Sequence, residues 1–264
     1  EAVGVLELLL DQTPDAQTLD YLSSAGHALA YVTIADRRFS DLYEVGQRST
    51  VLTLEAEIQR RLLPAAYSCE GPQFALAGWQ VPAASAGGDT FDYIIGERTL
   101  ALSITDAMGH GVAAAQLATL AVESLRNSRR AGADLAEQAQ RAGAALAEHA
   151  APDQFVTALL AEIDLPTGAT RIVNAGHVGP LLVRDGRVVE IDLKPELVLG
   201  IVPGLTYQVQ HLQLEPDDRL VLLTDGMFER EAADARVAEL LVGLADELHA
   251  KAEQAVEQQE GPDE

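Results

Sequence analysis

Four short polar segments hold the residues of this sequence that could do chemistry. Each combines glycine with aspartate, asparagine or histidine where an apolar stretch begins or ends: Gly87-Gly88-Asp89-Thr90-Phe91-Asp92, Asp106-Ala107-Met108-Gly109-His110-Gly111, Asn174-Ala175-Gly176-His177 and Thr224-Asp225-Gly226. Aspartates at strand ends can converge on one edge of a sheet, where their charges repel each other unless a cation lies between them. Hard divalent cations prefer such oxygen ligands, and glycine lets backbone carbonyls approach an ion. Together the segments indicate a divalent metal site.

Periodic patterns predict the elements that would position these segments. Strands are expected at 74–80, 91–96, 100–105, 155–164, 170–174, 180–184, 187–191, 207–214 and 219–224. Two helices rich in Ala and Leu are expected at 112–129 and 134–149, and a last helix at 237–248. Hairpin-linked strands with helices grouped between them favour an α+β sandwich over a doubly wound sheet.

The first sixty residues have a different pattern. A strand is expected at 3–10, and helical spacing predicts a long helix from Leu19 toward Phe39. A second helix carries Val51, Leu54, Ile58 and Leu62 at i, i+3, i+7 and i+11 and ends before Pro64. This apolar stripe has two interpretations: it packs on its own domain, or it pairs two chains as in a coiled coil. One strand and two helices cannot enclose a core, so we expect a fragment of a larger protein.

Composition excludes several classes of function. The formal net charge of -23 repels nucleic acid and anionic lipid, so neither is expected as a partner. No apolar run is long enough to cross a bilayer, and no signal segment opens the chain. The single cysteine, Cys69, excludes an internal disulfide framework and favours the cytoplasm.

The order of the polar segments resembles the PPM family of metal-dependent protein serine/threonine phosphatases. Gly-Gly-Asp-x-Phe-Asp, Asp-x-x-Gly-His-Gly, Asn-Ala-Gly-His and Thr-Asp-Gly follow one another as in that family, after Gln59-Arg60-Arg61-Leu62-Leu63-Pro64. The nearest branch is that of the bacterial sporulation and stress-response phosphatases, which act on anti-anti-sigma proteins. The resemblance implies an α-β-β-α sandwich of two antiparallel sheets flanked by helices. It divides the chain into the tail of a GAF-like sensor domain (1–47), a linker helix (48–66), the phosphatase domain (67–249) and an acidic tail (250–264).

The resemblance also implies the roles of the site residues. Asp106 would bridge two Mn²⁺ or Mg²⁺ ions, with the Ala107 carbonyl as a further ligand. Asp89 would serve one ion, directly or through water, and Asp225 would hold the other. A water between the ions would become acidic enough to attack phosphorus near neutral pH, so that no protein nucleophile is needed. Asn174 and His177 would shape the site rather than bind metal, with His177 as a proton donor the alternative. The phosphorylated partner would be an anti-anti-sigma protein.

One departure from the family leaves alternatives open. The family carries a late Asp-Asp-x-Thr segment on a final strand, whereas this chain runs into a Glu- and Gln-rich end in which Asp263 stands alone. Either the chain is truncated, or this relative is catalytically impaired and acts as a partner-binding module. A nucleotide cyclase is a weaker alternative, because Thr90 replaces the carboxylate that follows Gly-Gly-Asp in cyclases. A ligand-sensing module could apply only to residues before position 48.

Overall fold

The structure is a computed structural model that describes residues 13–39, 52–78, 80, 88–189 and 191–226. The chain divides into two compact units, Glu1–Leu52 and Thr53–Glu264. The predicted strand 3–10, the predicted helix 237–248 and the acidic tail 250–264 lie outside the described residues. The sensor-domain assignment for 1–47 and the other predicted domain boundaries therefore stay predictions.

The described part of the first unit is one helix, α1 (Ala16–Phe39), as the apolar spacing predicts. Its first turn is capped by Asp15, whose carboxylate accepts a hydrogen bond from the Thr18 amide at 2.8 Å. Several large apolar side chains of α1 are exposed, Tyr21 and Tyr31 most of all.

The second unit is an α+β fold built on antiparallel sheets, as predicted. Its helices are α2 (Leu54–Leu62), α3 (Gly111–Arg130) and α4 (Leu135–His149). Its strands are β1 (Ser68–Gly71), β2 (Phe74–Ala77), β3 (Thr90–Ile95), β4 (Thr99–Ala107), β5 (Val156–Asp164), β6 (Ala169–Ala175), β7 (Leu181–Arg184), β8 (Arg187–Val189), β9 (Gln210–Gln213) and β10 (Arg219–Val221). A five-stranded sheet has the order β3-β4-β5-β6-β9, a three-stranded sheet the order β10-β7-β8, and β1 and β2 form a hairpin.

The central strand β5 of the five-stranded sheet is buried on both faces along most of its length, which explains its nearly continuous apolar sequence. Along β5, Ala158 and Leu160 face a large cluster shared with α3 and α4. The alternate residues Leu159 and Ala161 face a second cluster that includes Leu222, just after β10. The period of two along a strand thus places helices on one face and the second sheet on the other. The described layers are α-β-β, and the predicted fourth layer falls on residues outside them.

Helices α3 and α4 form where alanine-rich stretches offer a narrow apolar stripe. In α3 the buried residues recur at helical spacing, among them Ala114, Leu117, Ala118 and Ala121. Helix α4 begins at Asp134, whose side chain accepts the Glu137 amide at 2.9 Å. None of the helices in the described ranges is long and apolar enough to cross a membrane.

The linker helix α2 packs on α3 and β3 of its own unit. Leu62 is buried, and Ile58 packs against the large core cluster, whereas Leu54 is 63% exposed. Val51 lies outside the described residues. Two residues of the predicted stripe therefore serve the fold of this chain, and pairing of two chains along the helix stays a prediction.

Three differences from the predicted strands have local causes. The short strand β1 was not predicted, because Ser68–Gly71 has only one apolar residue, Cys69. The predicted strand 207–214 begins only at Gln210, since the Gln208 amide donates instead to the Glu196 carboxylate at 2.8 Å. The predicted strand 219–224 ends at Val221, and Thr224 turns toward Asp89.

Candidate metal centre

Strand register brings Asp89 and Asp106 together at one end of the five-stranded sheet. In the β3–β4 ladder Thr90 pairs with Thr105, so the neighbouring residues Asp89 and Asp106 stand side by side. The two threonine hydroxyls are 2.6 Å apart and buried, which fixes this register beneath the aspartates. Asp106 is the penultimate residue of β4, before the turn that enters α3.

Asp225 approaches the same place from the second sheet. The Thr224 hydroxyl donates to Asp89 Oδ2 at 3.0 Å, which joins the segment after β10 to the residue before β3. Burial raises the pKa of Asp89, and the charge of Asp225 adds to the rise. Hydrogen bonds from Thr224 and with Asp106 act in the opposite direction on this pKa. The structure thus brings together the three aspartates that the sequence singles out.

Two carboxylates can share a hydrogen bond only if one is protonated, so Asp89 and Asp106 need a proton or a cation between their oxygens. The oxygen ligands of these aspartates suit Mg²⁺ or Mn²⁺. In the described part of the chain, however, no group of three His, Cys, Asp or Glu side chains is placed to hold a metal ion. An ion held here would therefore need backbone carbonyls or water to complete its coordination shell.

The Ala107 carbonyl, the fourth predicted ligand, lies against Gly88. A Cβ atom at Gly88 would be 2.3 Å from the Ala107 oxygen, so only glycine permits this approach. The Ala107 amide also donates to the Gly88 carbonyl at 3.3 Å. The second glycine of the Gly-Gly-Asp segment thus fixes the position of the backbone beside Asp106.

His177 and Asn174 are buried next to this site and are fully hydrogen-bonded. Asn174 accepts from the His177 amide at 2.8 Å and donates to the His177 carbonyl at 3.0 Å. The His177 ring contacts Thr157 through Nδ1 at 2.7 Å and the Leu223 carbonyl through Nε2 at 3.1 Å. Burial lowers the pKa of His177. Both ring nitrogens are engaged within the protein, which favours a shaping role over proton donation.

His110 neither caps helix α3 nor packs in the core. It occupies the N-cap position of α3, but its side chain makes no capping hydrogen bond and is exposed. Its neighbours Gly109 and Gly111 have φ values of 93° and 74°, which only glycine adopts readily. The conformation of this turn therefore depends on the two glycines.

Two side-chain contacts with the Asp89 carbonyl were not predicted, one from the linker helix and one from the segment after β2. The buried side chain of Gln59 donates to the Asp89 carbonyl at 2.6 Å. Gln80 donates to the same carbonyl at 3.2 Å. Gln59 lies three residues before the apolar Leu62, a spacing that places both on one face of the helix and could have indicated that Gln59 is buried. Its partner, Asp89, lies 30 residues away and could not be found in this way.

Asp92, the second aspartate of the first segment, points away from the metal centre into an ion-pair cluster. Its carboxylate accepts two hydrogen bonds from Arg126, both at 3.0 Å, and one from Arg129 at 3.2 Å. Arg126 also donates to the Leu62 carbonyl at the end of α2, at 2.6 Å. Asp92 and Arg126 are 8% and 15% exposed, so this cluster is largely buried. It joins β3, α3 and the linker helix.

Comparison with solved structures identifies the class of fold. The PP2C phosphatase domain of the cell fate determinant SpoIIE from Bacillus subtilis, solved with a fragment of its regulatory domain, superposes with a TM-score of 0.52 at 24% identity. The match covers 59% of this chain and 46% of that chain. At this identity the likeness shows the fold, which is the PP2C-like α+β fold that the family resemblance implies.

The sequence comparisons give the family. Residues 96–260, more than half of the chain, match the family described as Stage II sporulation protein E (SpoIIE), and the chain belongs to this family. This confirms the predicted resemblance and sets aside the nucleotide cyclase alternative.

Two curated relatives agree with this assignment. Stage II sporulation protein E of Priestia megaterium is 25% identical over 143 residues, which are 54% of this chain and 24% of the relative. Phosphoserine phosphatase RsbU of Bacillus subtilis (strain 168) is 22% identical over 232 residues, which are 85% of this chain and 67% of the relative. The chain thus spans about a quarter of the first relative and two thirds of the second.

Proposed function

We propose that this chain is a metal-dependent phosphatase that removes phosphate from phosphoserine or phosphothreonine on a regulatory protein. The observation that carries the proposal is the convergence of Asp89, Asp106 and Asp225 at one end of two packed sheets. RsbU, a relative along most of this chain, is named a phosphoserine phosphatase, which supports the same reaction.

In this proposal Asp106, the Ala107 carbonyl, Asp89 and Asp225 hold two Mn²⁺ or Mg²⁺ ions. When bound, such ions supply a hydroxide-like water near neutral pH and offset charge on the phosphoryl oxygens. The protein residues hold and orient this centre. Thr224 fixes one oxygen of Asp89, and the buried threonine pair of β3 and β4 holds Asp89 beside Asp106.

The centre requires no protein nucleophile. Cys69 lies in the β1–β2 hairpin, and its sulfur makes a weak contact, at 3.9 Å, with the carbonyl of the next residue. Within the described ranges no side chain hydrogen-bonds to this sulfur as a general base would for thiolate chemistry. Water is therefore the proposed attacking group.

The test of this mechanism is hydrolysis of para-nitrophenyl phosphate with added Mn²⁺. Asp106→Asn should abolish turnover while the fold stays intact, because it removes charge from the proposed bridging ligand. Asp134→Asn is the matched control: Asp134 caps α4 outside the site, and asparagine caps helices equally well. Full turnover by Asp106→Asn would refute the two-metal mechanism. Absence of Mn²⁺-dependent turnover in the unmodified chain would instead favour the partner-binding alternative.

The proposed substrate is a folded bacterial phosphoprotein of the anti-anti-sigma type. The family assignment supports it, and the net charge of -23 disfavours nucleic acid as a competing partner. Mixing the chain with such a protein phosphorylated on serine should release inorganic phosphate. Release from phosphotyrosine or a cyclic nucleotide, but not from phosphoserine, would contradict this assignment.

We further propose that the linker helix α2 regulates this activity. It contacts the centre through Gln59 and the Asp92 cluster through the Leu62 carbonyl, so a change in its position would be felt at Asp89. Pairing of two chains along α2, the second interpretation of the apolar stripe, would provide one way to move it.

A further inference from the structure

We propose that His177 is a positioning residue of the metal centre, whose imidazole ties β5, the strand paired with the one that carries Asp106, to the segment that carries Asp225. This inference rests on the proposed function, since it assigns a role within the same site. His177 touches neither metal nor substrate in this role. It sets the distance between two ligand-bearing segments that belong to different sheets.

The first half of the connection runs through Thr157. In the β4–β5 ladder Thr157 is the direct partner of Asp106, so the two residues are held together by the sheet backbone. The Thr157 hydroxyl lies 2.7 Å from Nδ1 of His177. The imidazole is thus anchored one strand away from the proposed bridging ligand.

The second half runs through the backbone after β10. Nε2 of His177 lies 3.1 Å from the Leu223 carbonyl, two residues before Asp225. The residue between them, Thr224, donates to Asp89 at 3.0 Å. The segment leaves its strand at Val221, and in the described structure the packing of Leu222 on the second cluster and these two hydrogen bonds hold it at the site.

The partners of the ring determine its tautomer. A backbone carbonyl only accepts hydrogen bonds, so Nε2 must carry a proton and donate to Leu223. In the neutral ring Nδ1 then accepts from the Thr157 hydroxyl. Burial, which lowers the pKa of His177, favours this neutral form. Both contacts are satisfied at once only by the Nε2–H tautomer or by the cation, which burial disfavours.

The backbone of His177 is also held in place. Asn174 bonds both the amide and the carbonyl of His177. Gly176, with φ of 68°, lies where a Cβ atom would be 2.5 Å from Val198. The Asn-Ala-Gly-His segment is therefore a rigid turn that presents the imidazole at a fixed place between the sheets, which is what a positioning residue requires.

Mn²⁺ binding, followed by the loss of the electron paramagnetic resonance signal of free Mn²⁺, tests the proposal without relying on turnover. His177→Phe removes both contacts, and Thr157→Val removes one while keeping the size of the side chain. We expect the Mn²⁺ dissociation constant to rise about 10-fold in His177→Phe, the lower end of the range for groups bonded directly to metal ligands, and less in Thr157→Val. Gln138→Leu is the control, since Gln138 is equally buried and bonded to a backbone carbonyl, Ala133, outside the site. It should lower thermal stability but leave Mn²⁺ affinity unchanged.

The outcomes separate this inference from the proposed function. If the unmodified chain binds no Mn²⁺ at millimolar concentration, the proposed function fails and the inference fails with it. If the unmodified chain binds Mn²⁺ and Thr157→Val and His177→Phe bind it equally well, only the role of His177 is overturned. If His177→Phe does not fold, the Mn²⁺ affinity of Thr157→Val alone tests the role of His177. Nitrogen NMR of the imidazole adds a readout free of metal: the Nε2–H pattern is expected, and the Nδ1–H pattern would overturn the proposal.

Discussion

Substitution of Gly88 by alanine tests the proposed centre through its backbone ligand. A Cβ atom at Gly88 would lie 2.3 Å from the Ala107 oxygen and 2.7 Å from the Ala107 nitrogen. Ordinary contact begins at 3.4 Å, so the backbone at Ala107 must retreat by about 1.1 Å. These two atoms belong to the main chain, and the third clashing atom, the Ala107 Cβ at 2.6 Å, is attached directly to it, so none can swing aside as a flexible side chain would. The substitution therefore displaces the carbonyl that is the proposed ligand next to Asp106.

The size of the effect follows from this displacement. Metal–ligand distances tolerate deviations of about 0.2 Å, so a shift of about 1 Å removes the Ala107 carbonyl from the coordination shell. Misplacement of a catalytic group by about 1 Å costs about 100-fold in rate. We therefore expect kcat/KM for para-nitrophenyl phosphate to fall about 100-fold in Gly88→Ala, with a higher Mn²⁺ concentration at half-maximal activity.

Gly179→Ala is the matched control for Gly88→Ala. A Cβ atom at Gly179 meets nothing within 4 Å, and the backbone there is not in the left-handed region. This variant should keep both turnover and Mn²⁺ dependence. Thermal unfolding by circular dichroism would confirm that both variants are folded at the assay temperature. Wild-type turnover and Mn²⁺ dependence in a folded Gly88→Ala protein would refute the role of the Ala107 carbonyl.

Three further substitutions test the linker helix and its contacts. Gln59→Leu removes the 2.6 Å hydrogen bond to the Asp89 carbonyl, so the Mn²⁺ concentration at half-maximal activity should rise about 10-fold. An unchanged concentration would show that this contact of the helix does not affect the centre. Arg126→Met leaves the buried Asp92 carboxylate with fewer partners, and urea unfolding should show a loss of about 3 kcal/mol, whereas a loss below about 1 kcal/mol would mean that the cluster contributes little. Leu54→Asp changes the 63% exposed residue of the predicted stripe, so it should weaken self-association in sedimentation and change turnover. If the unmodified chain is a monomer at high micromolar concentration and the variant is fully active, the helix only packs on its own domain.

Local patterns in the sequence were enough to predict most elements and to single out the aspartates that the structure brings together. The aspartates could be found because each lies at the end of an apolar strand near a glycine. This pattern is visible within one short segment and needs no knowledge of distant contacts. The short strand Ser68–Gly71 escaped prediction because its pairing with Phe74–Ala77, rather than its own composition, makes it a strand.

Contacts between distant segments could not be predicted in the same way. Gln59 and Asp89 are 30 residues apart, and His177 and Leu223 are 46 residues apart. Each partner is a backbone carbonyl, which every residue possesses, so side-chain types give no sign of the pairing. The sequence therefore indicates which residues do chemistry more readily than which residues hold them in place.

The contacts of α2 also set the energy that a regulatory signal would need. Moving the helix exposes Leu62, which is 5% exposed, and burial of a leucine side chain is worth about 1.5–3 kcal/mol. Withdrawal of the helix would also break the bonds of Arg126 to the Leu62 carbonyl and of Gln59 to the Asp89 carbonyl, each worth about 1 kcal/mol net. Gln80 still donates to Asp89 when Gln59 leaves, so the carbonyl would keep one partner and the centre would be loosened rather than dismantled. The summed cost of these contacts, about 3.5–5 kcal/mol, exceeds the roughly 1–3 kcal/mol of a typical allosteric coupling. A signal of ordinary strength could therefore break the polar contacts of Gln59 and Arg126 while Leu62 stays buried, and a small rotation of α2 is the movement that its contacts permit.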